Sequence, residues 1–222
     1  MLGFVIALVA IAGAVQACDF PPTWTAQAAH ENFIEGSRDY LTISYDAANK
    51  RFSANGTYNV TRPDQNIVQV IGLYEERKYY VIEVAARRCT VHTIENEFKP
   101  WGVPEDARDN GEYVFGVATA SLKLHCYSTR VESRLFPGLD LDWSVQVTEE
   151  LCVPAIEQYL SVHDNERREL AGQVIYYDIA PTVEASQFVP PAFCNEDVVD
   201  DTRMVQGSHA HPRFPSEAFR FF

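Results

Sequence analysis

The sequence lacks any apolar run long enough to cross a bilayer and any run of five or more basic residues. Its longest apolar stretch, residues 1–15, has a core of about a dozen residues, whereas a transmembrane helix needs about 20. Lys and Arg number 18 against 31 Asp and Glu, which gives a formal net charge of -13 at pH 7. A chain this acidic is repelled by nucleic acid phosphates, so we expect no nucleic-acid partner.

Sequence motifs of catalysis are also missing. Nucleophile elbows, zinc-protease helices and phosphate-binding loops do not occur. His125 and Cys126 could suggest a thiol and its base, but neighbours on a strand point to opposite faces. His209 and His211 could bind a metal ion, although no fixed third ligand accompanies them and a solvated tail is the simpler interpretation. We therefore predict that the protein is not an enzyme.

The amino terminus predicts secretion. An uncharged apolar segment ends in Val15-Gln16-Ala17, whose small residues suit signal peptidase, so residues 1–17 are predicted to be a signal peptide. A membrane anchor or a lipidated Cys18 are the alternatives. We predict one β domain over residues 18–194, and an acidic, His-containing, disordered tail over residues 195–222. Extracellular cysteines can oxidise.

Apolar residues recur mainly with period two, which is typical of half-buried strands. The clearest example alternates Leu139, Leu141, Trp143, Val145 and Val147 with polar residues. Further strands are predicted at 38–46, 66–74, 78–84, 112–125, 153–162 and 173–179. Turn signals occur at residues 46–49, 55–56, 75–77 and 137–138. The pattern predicts a mainly β protein, an antiparallel meander folded into a sandwich or a partly open barrel.

Five cysteines are present, at positions 18, 89, 126, 152 and 194. Their number leaves one unpaired or bonded to another chain, and any of 15 arrangements of two bridges is allowed. Cys126 is expected to share a strand face with Leu122 and Leu124, either as a buried free thiol or in an interchain bridge. Asn55-Gly56-Thr57 and Asn59-Val60-Thr61 are glycosylation sequons, although Asn55-Gly56 also fits a hairpin turn.

The chain resembles the ependymin-related family of secreted glycoproteins over residues 18 to about 194. The matching fragments, in order, are Cys18 with Pro22 and Trp24, Ser44-Tyr45-Asp46 with Asn49 and Arg51, Cys89-Thr90, Pro100-Trp101 with Pro104, Cys152-Val153-Pro154, and Phe188-Val189-Pro190-Pro191-Ala192-Phe193-Cys194. The resemblance implies two bridges, Cys18 with Cys152 and Cys89 with Cys194. Both partners of a third bridge found in mammalian-type relatives are missing, and Cys126 has no counterpart in the family pattern.

The resemblance also implies a fold and a set of partners. The implied fold is two stacked antiparallel sheets curved around a deep apolar pocket, similar to bacterial lipoprotein carriers. A homodimer, binding of a lipid or another hydrophobic molecule, and calcium binding are implied as well. No EF-hand loop is present. Asp140 and Asp142, on one strand face about 7 Å apart, or Glu105, Asp106 and Asp109 could help to hold Ca²⁺, but a solvated acidic face explains both groups more simply.

We predict a secreted, glycosylated protein that buries an apolar ligand. The candidate pocket residues, chosen by strand alternation, are Leu41, Ile43, Tyr45, Trp143, Val145 and Tyr159. The alternative is a calcium-dependent structural glycoprotein of the extracellular matrix or of cell adhesion, without a specific small ligand. Protonation of carboxylates near pH 5 would weaken repulsion from anionic membranes, so contact with such membranes in a lysosomal pool is a further expectation.

Overall fold

A computed structural model describes residues 18–33, 36–58, 66–94, 97–117, 120–132, 140–162, 168–195 and 199–200. The described residues form twelve strands and two short 3₁₀ helices. The strands are β1 (Thr23–Asn32), β2 (Ser37–Asp46), β3 (Arg51–Tyr58), β4 (Asn66–Leu73), β5 (Lys78–Glu83), β6 (Arg88–Thr93), β7 (Arg108–Val117), β8 (Ala120–Glu132), β9 (Asp140–Thr148), β10 (Pro154–Val162), β11 (Arg168–Ala180) and β12 (Val199–Asp200). The 3₁₀ helices are Ala185–Phe188 and Ala192–Asn195. No helix in these ranges is long and apolar enough to span a membrane.

The strands belong to one sheet in the order β12-β6-β5-β4-β3-β2-β1-β11-β10-β9-β8-β7. Strands β1–β6 form one antiparallel meander and β7–β11 form another, and antiparallel pairing of β1 with β11 joins them. Only β12 is parallel to its neighbour β6 in the described sheet. The mainly β, antiparallel prediction is confirmed, and the two expected sheets are two halves of a single sheet, which does not close on itself in the described part of the chain.

Several local predictions differ from the structure. Residues 112–125, predicted as one strand, belong to β7 and β8 of a hairpin. Asn55-Gly56 is not a turn, because it lies inside β3 and pairs with both β2 and β4. Strands β1, β3 and β6 were not predicted, and β7 begins at Arg108 rather than at residue 112. Residues 199–200, in the predicted tail, pair with β6. The signal peptide, Asn59, the turn at 137–138, His209 and His211 lie outside the described residues.

Strand register gives the sheet two distinct faces. On the inner face, as we call it, Leu41 pairs with Ala28, which pairs with Tyr176 of the second meander. The same face continues from Val174 through Glu157 to Val145. Large and small apolar side chains therefore follow one face across both meanders, where they form the principal buried cluster. The opposite side is the outer face.

The connection between β6 and β7 joins opposite halves of the sheet, and its described part, residues 97–107, packs on the inner face. The ring of Trp101 stacks on that of Tyr45 with centroids 4.6 Å apart, and its centroid lies 5.4 Å from that of Trp24. The backbone N–H of Trp101 donates a hydrogen bond to the Tyr45 hydroxyl (2.9 Å), and the N–H of Val103 donates to the Cys18 carbonyl (3.0 Å). Aromatic stacking and these bonds fix this segment, which we call the crossing segment.

The outer face carries a second, smaller core over β4–β6. Ile71, Tyr80, Ile82 and Cys89 pack there with Cys194, which follows the two 3₁₀ helices. The chain from residue 185 to 194 thereby covers part of the outer face.

The family fragment Tyr45-Asp46 with Asn49 and Arg51 builds the turn from β2 to β3. The Asp46 carboxylate accepts hydrogen bonds from the Asn49 amide (2.8 Å) and from Nε of Arg51 (2.9 Å). Burial acts to raise the pKa of Asp46, but the bonds from Asn49 and Arg51 outweigh it, so the pKa is lowered. The Arg51 guanidinium also lies 4.3 Å from the ring centroid of Phe188. This fragment therefore links the turn to the carboxyl-terminal segment.

Tyr45→Phe is expected to lower the free energy of unfolding by about 1–2 kcal/mol, because it leaves the buried N–H of Trp101 without its acceptor. Urea unfolding followed by tryptophan fluorescence would measure the loss. Tyr177→Phe, at an exposed position, is the matched control and should change stability by less than about 0.5 kcal/mol. Equal losses in the two variants would contradict the role of this bond in holding the crossing segment.

Candidate functional site

The structure places the six candidate pocket residues on the inner face. Leu41, Ile43 and Tyr45 lie on β2, Trp143 and Val145 on β9, and Tyr159 on β10. All six are buried members of the same apolar cluster, although they come from both meanders. All described strands belong to one sheet, and the strand register places the six side chains on the same face of it.

A buried carboxyl group, which the sequence analysis missed, lies within this apolar face. Glu157 is fully buried on β10, and its Oε2 accepts hydrogen bonds from the Trp143 indole (3.1 Å) and the Tyr159 hydroxyl (2.7 Å). Its Oε1 accepts a hydrogen bond from the Tyr176 hydroxyl (2.9 Å). Strand alternation could have revealed it, because Glu157 precedes the candidate Tyr159 by two residues and must share its face.

Burial and hydrogen bonding have opposite effects on the ionisation of this group. Burial raises the pKa of Glu157, while the bonds from Tyr159, Trp143 and Tyr176 partly counteract that rise. Burial and the neighbouring Glu157 carboxylate together hold the pKa of Tyr159 and of Tyr176 well above their ordinary range. Both tyrosines therefore remain protonated donors over the physiological pH range.

The raised pKa of Glu157 predicts a pH-dependent stability. The native protein holds the Glu157 proton more tightly than the unfolded chain does. The stabilising effect of this proton is therefore complete below the ordinary glutamate pKa and is lost as pH rises through the pKa of Glu157 in the folded protein. The difference in unfolding free energy, wild type minus Glu157→Gln, should therefore fall from pH 4 to pH 8. Parallel urea denaturation series would measure it. A difference that is constant with pH, or that rises, would contradict this prediction.

A second polar pair occupies another part of the inner face. Nδ1 of His30 on β1 lies 2.9 Å from Oδ2 of Asp39 on β2, directly across the strand pair. Asp39 is buried and His30 is partly buried. The spacing of nine residues gave no recognisable motif, because only the β1–β2 register brings the two side chains together.

A cavity of about 370 Å³ lies beside the Cys18–Cys152 bridge. Its lining includes Asp19, His125, Tyr127 and Glu149. Nε2 of His125 lies 2.6 Å from the Asp109 carboxylate, and the His125 ring stacks on Tyr127 with centroids 4.6 Å apart. The side chain of His125 is thus held by its neighbours, and Cys126 is the next residue on the opposite strand face.

The structure contains both bridges that the resemblance implies. Cα atoms are 5.6 Å apart in Cys18–Cys152 and 5.1 Å apart in Cys89–Cys194. Cys126 is a partly buried free cysteine, and burial raises the pKa of its thiol. A thiol with a raised pKa is less available as a nucleophile at neutral pH.

The remaining candidates are placed as follows. Asp142 faces Arg130 on the paired strand, with Oδ1 and Nε 3.6 Å apart, while the side chain of Asp140 lies outside the described part. In that part, no group of three or more His, Cys, Asp or Glu side chains is arranged to hold a metal ion. Asn55 is exposed in β3, in register with Thr42 and Gln69.

Taken together, the fold and site define a disulfide-linked β-sheet protein with one broad, buried apolar face. A model of the Ependymin family matches residues 62–194, more than half of the chain, and the protein belongs to that family. Ependymins are secreted and in general are not enzymes, which fits an extracellular protein.

Two solved structures share a loose similarity with the chain. An uncharacterized conserved protein from Thermus thermophilus has 10% identity and a TM-score of 0.48, covering 78% of this chain and 87% of its own. A putative outer membrane lipoprotein-sorting protein domain from Vibrio parahaemolyticus has 8% identity and a TM-score of 0.32, covering 75% of this chain and 88% of its own. These scores are too low to support a functional argument.

Proposed function

We propose that this ependymin is a secreted glycoprotein that binds a hydrophobic, lipid-like ligand at the inner face of its sheet. The observation that carries the proposal is the apolar cluster that runs across both meanders on one face of a single sheet in the described part of the chain. The crossing segment and residues 18–20 supply part of its cover. A ligand that entered beside these segments would extend the same cluster.

Hydrocarbon burial would supply most of the affinity. Each buried methylene contributes about 0.8 kcal/mol, so one acyl chain could bind without a charged partner. The buried carboxyl groups on this face in the described part of the chain, Asp39 and Glu157, are already hydrogen-bonded to protein groups. Recognition by hydrocarbon is therefore a better fit to the face than recognition of a cationic ligand.

Glycosylation at Asn55 is part of the proposal. Ala54 belongs to the inner-face cluster, so its neighbour Asn55 points to the outer face, where it is exposed. A glycan there would leave the inner face free. Mass spectrometry before and after glycosidase treatment, with Asn55→Gln as the variant, would show whether this sequon is occupied.

The first test is mass spectrometry of organic extracts from protein secreted by animal cells and purified without detergent. The second uses a fluorescent polyene fatty acid and excitation of Trp24, Trp101 and Trp143, which all belong to the inner-face cluster. We expect one enriched lipid class and energy transfer to the bound probe. An unrelated secreted protein is the control for both measurements.

A matched pair of variants separates binding from stability. Leu41→Ala and Ile71→Ala each truncate a buried aliphatic side chain, on the inner and the outer core respectively, at a cost of about 2–5 kcal/mol. Only Leu41→Ala should weaken probe binding. Equal weakening in both variants, or no binding by the wild type together with a clean extract, would overturn the ligand proposal and favour the matrix or adhesion alternative, with its calcium dependence.

Two further parts of the proposal concern partners. Sedimentation equilibrium would test the homodimer that the family resemblance implies.

Binding to anionic vesicles should be stronger at pH 4.5 than at pH 7.4 if an acidic lysosomal pool uses weakened charge repulsion. Equal binding at the two pH values would remove that part without affecting the ligand proposal.

A further inference from the structure

The end of the β7–β8 hairpin extends beyond the rest of the sheet. Strand β8 pairs with β9 only from Leu124 onward, whereas its pairing with β7 continues to Val117 and Ala120. Residues 114–117 and 120–123 therefore form a two-stranded ribbon about 13 Å long, given about 3.3 Å per residue. Strand β7 is also the edge strand of the sheet.

This ribbon is unusually apolar for an exposed structure. Phe115, Val117 and Leu122 share one face and are 61%, 66% and 44% exposed, and Val114 on the other face is 58% exposed. No Asp, Glu, Lys or Arg occurs from residue 113 to residue 122. The nearest charged residues, Glu112 and Lys123, are at its base, where Lys123 lies 3.3 Å from Glu149.

We propose that this ribbon inserts into the surface of a phospholipid membrane. The four exposed side chains present on the order of 400 Å² of apolar surface, about half of what one partner contributes to a standard protein interface. Such an area is too small for a stable protein dimer, but it suits a wedge that enters the boundary between headgroups and acyl chains. The ribbon would enter end-on, with Tyr113 near the headgroups.

Backbone chemistry limits the depth of insertion. The free edge of β7 has N–H and C=O groups without a strand partner in the described sheet, and such an edge is not stable in the hydrocarbon core. The side chains therefore reach about 5–10 Å into the interface, while the edge stays hydrated by the headgroups. At neutral pH the net charge of -13 favours a zwitterionic surface over an anionic one.

Co-flotation with phosphatidylcholine vesicles at pH 7.4 tests the proposal, with the full secreted protein and no added ligand. The double variant F115S/V117S is expected to lower the partition coefficient about tenfold or more, because it removes two inserted apolar side chains. The matched control is I67S/V84S on the β4–β5 hairpin. Ile67 and Val84 are 51% and 44% exposed. It should stay within about twofold of wild type.

A second variant tests the depth directly. Trp24, Trp101 and Trp143 lie in the inner-face cluster, so wild-type quenching by acyl chains carrying bromine sets the background, and a tryptophan introduced by Phe115→Trp should add strong quenching to it. Absence of wild-type binding, equal losses in both double variants, or no added quenching would each overturn the proposal. So would a lower sedimentation mass in F115S/V117S, which would assign the ribbon to self-association. Co-flotation of the double variants and the sedimentation mass do not depend on ligand binding at the inner face, and the quenching is read as the increase over wild type.

Discussion

Glu157→Ala is expected to lower the free energy of unfolding by about 3–5 kcal/mol at pH 7, one of the two largest losses predicted for this protein. The substitution leaves the Trp143 indole N–H and the hydroxyls of Tyr159 and Tyr176 without their shared acceptor. Losing a buried hydrogen-bond acceptor costs each donor about 1–3 kcal/mol. Removing a buried carboxyl group also removes the free-energy cost of its desolvation. The expected loss is therefore smaller than the sum of the costs for the three donors. Urea denaturation would measure it.

Two variants separate the lost hydrogen bonds from the lost side-chain volume. Glu157→Gln keeps the shape and an acceptor for Trp143 and Tyr159, so it should lose less than half as much stability as Glu157→Ala. The triple substitution of Glu157→Leu with Tyr159→Phe and Tyr176→Phe removes two of the three donors to Glu157 and should recover part of the loss. If Glu157→Ala is neutral or stabilising, desolvation outweighs the hydrogen bonds and the network does not stabilise the fold.

Local alternation predicted much of the sheet because it records which side chains face the core. The alternation around Trp143 and Val145 corresponds to β9, and the pattern around Leu41 and Ile43 corresponds to β2. Both regions have one buried apolar face and more polar residues on the other, which is the condition under which period two is informative. Strand β6 has only two apolar residues, Cys89 and Val91, and β1 has alanines at two of its buried positions, so neither gave a comparable signal.

Pairing between distant segments could not be predicted in the same way. The register of β1 with β11, which joins the two meanders, depends on strands far apart in the sequence. The stacking of Trp101 on Tyr45 depends on the path of the crossing segment over the sheet, which no local pattern encodes. Asn55-Gly56 shows the opposite error, because a strong local turn signal was overridden by strand partners on both sides.

The candidate site was predicted in outline and missed in its polar part. Residues such as Leu41 and Trp143 follow from alternation, since burial of apolar side chains is the commonest outcome for one face of a strand. Glu157 was missed because a carboxyl group is rarely fully buried, and its three donors come from three different strands. Only the completed register brings Trp143, Tyr159 and Tyr176 around it.

The second large effect is expected from removing the Cys89–Cys194 bridge in C89A/C194A. The bridge joins residues 105 positions apart. The loop-entropy model gives about 5 kcal/mol for a loop of this size, and losses on removing native disulfides are typically about 2–5 kcal/mol. The lost stability should be accompanied by a local change, because Cys194 holds the chain from residue 185 against Ile71 and Ile82 on the outer face. Unfolding in urea and limited proteolysis would measure the two effects.

The pattern of cleavage distinguishes undocking of this segment from general loosening. In C89A/C194A, first cleavage should fall within residues 181–195, while Cys126→Ala should keep the wild-type pattern and lose less than about 1 kcal/mol. C18A/C152A, whose bridge spans 134 positions, should lose similar stability without that early cleavage. If C18A/C152A exposes the same sites first, the two bridges act only through the unfolded chain. The Cys89–Cys194 bridge would then have no separate role in covering the outer face.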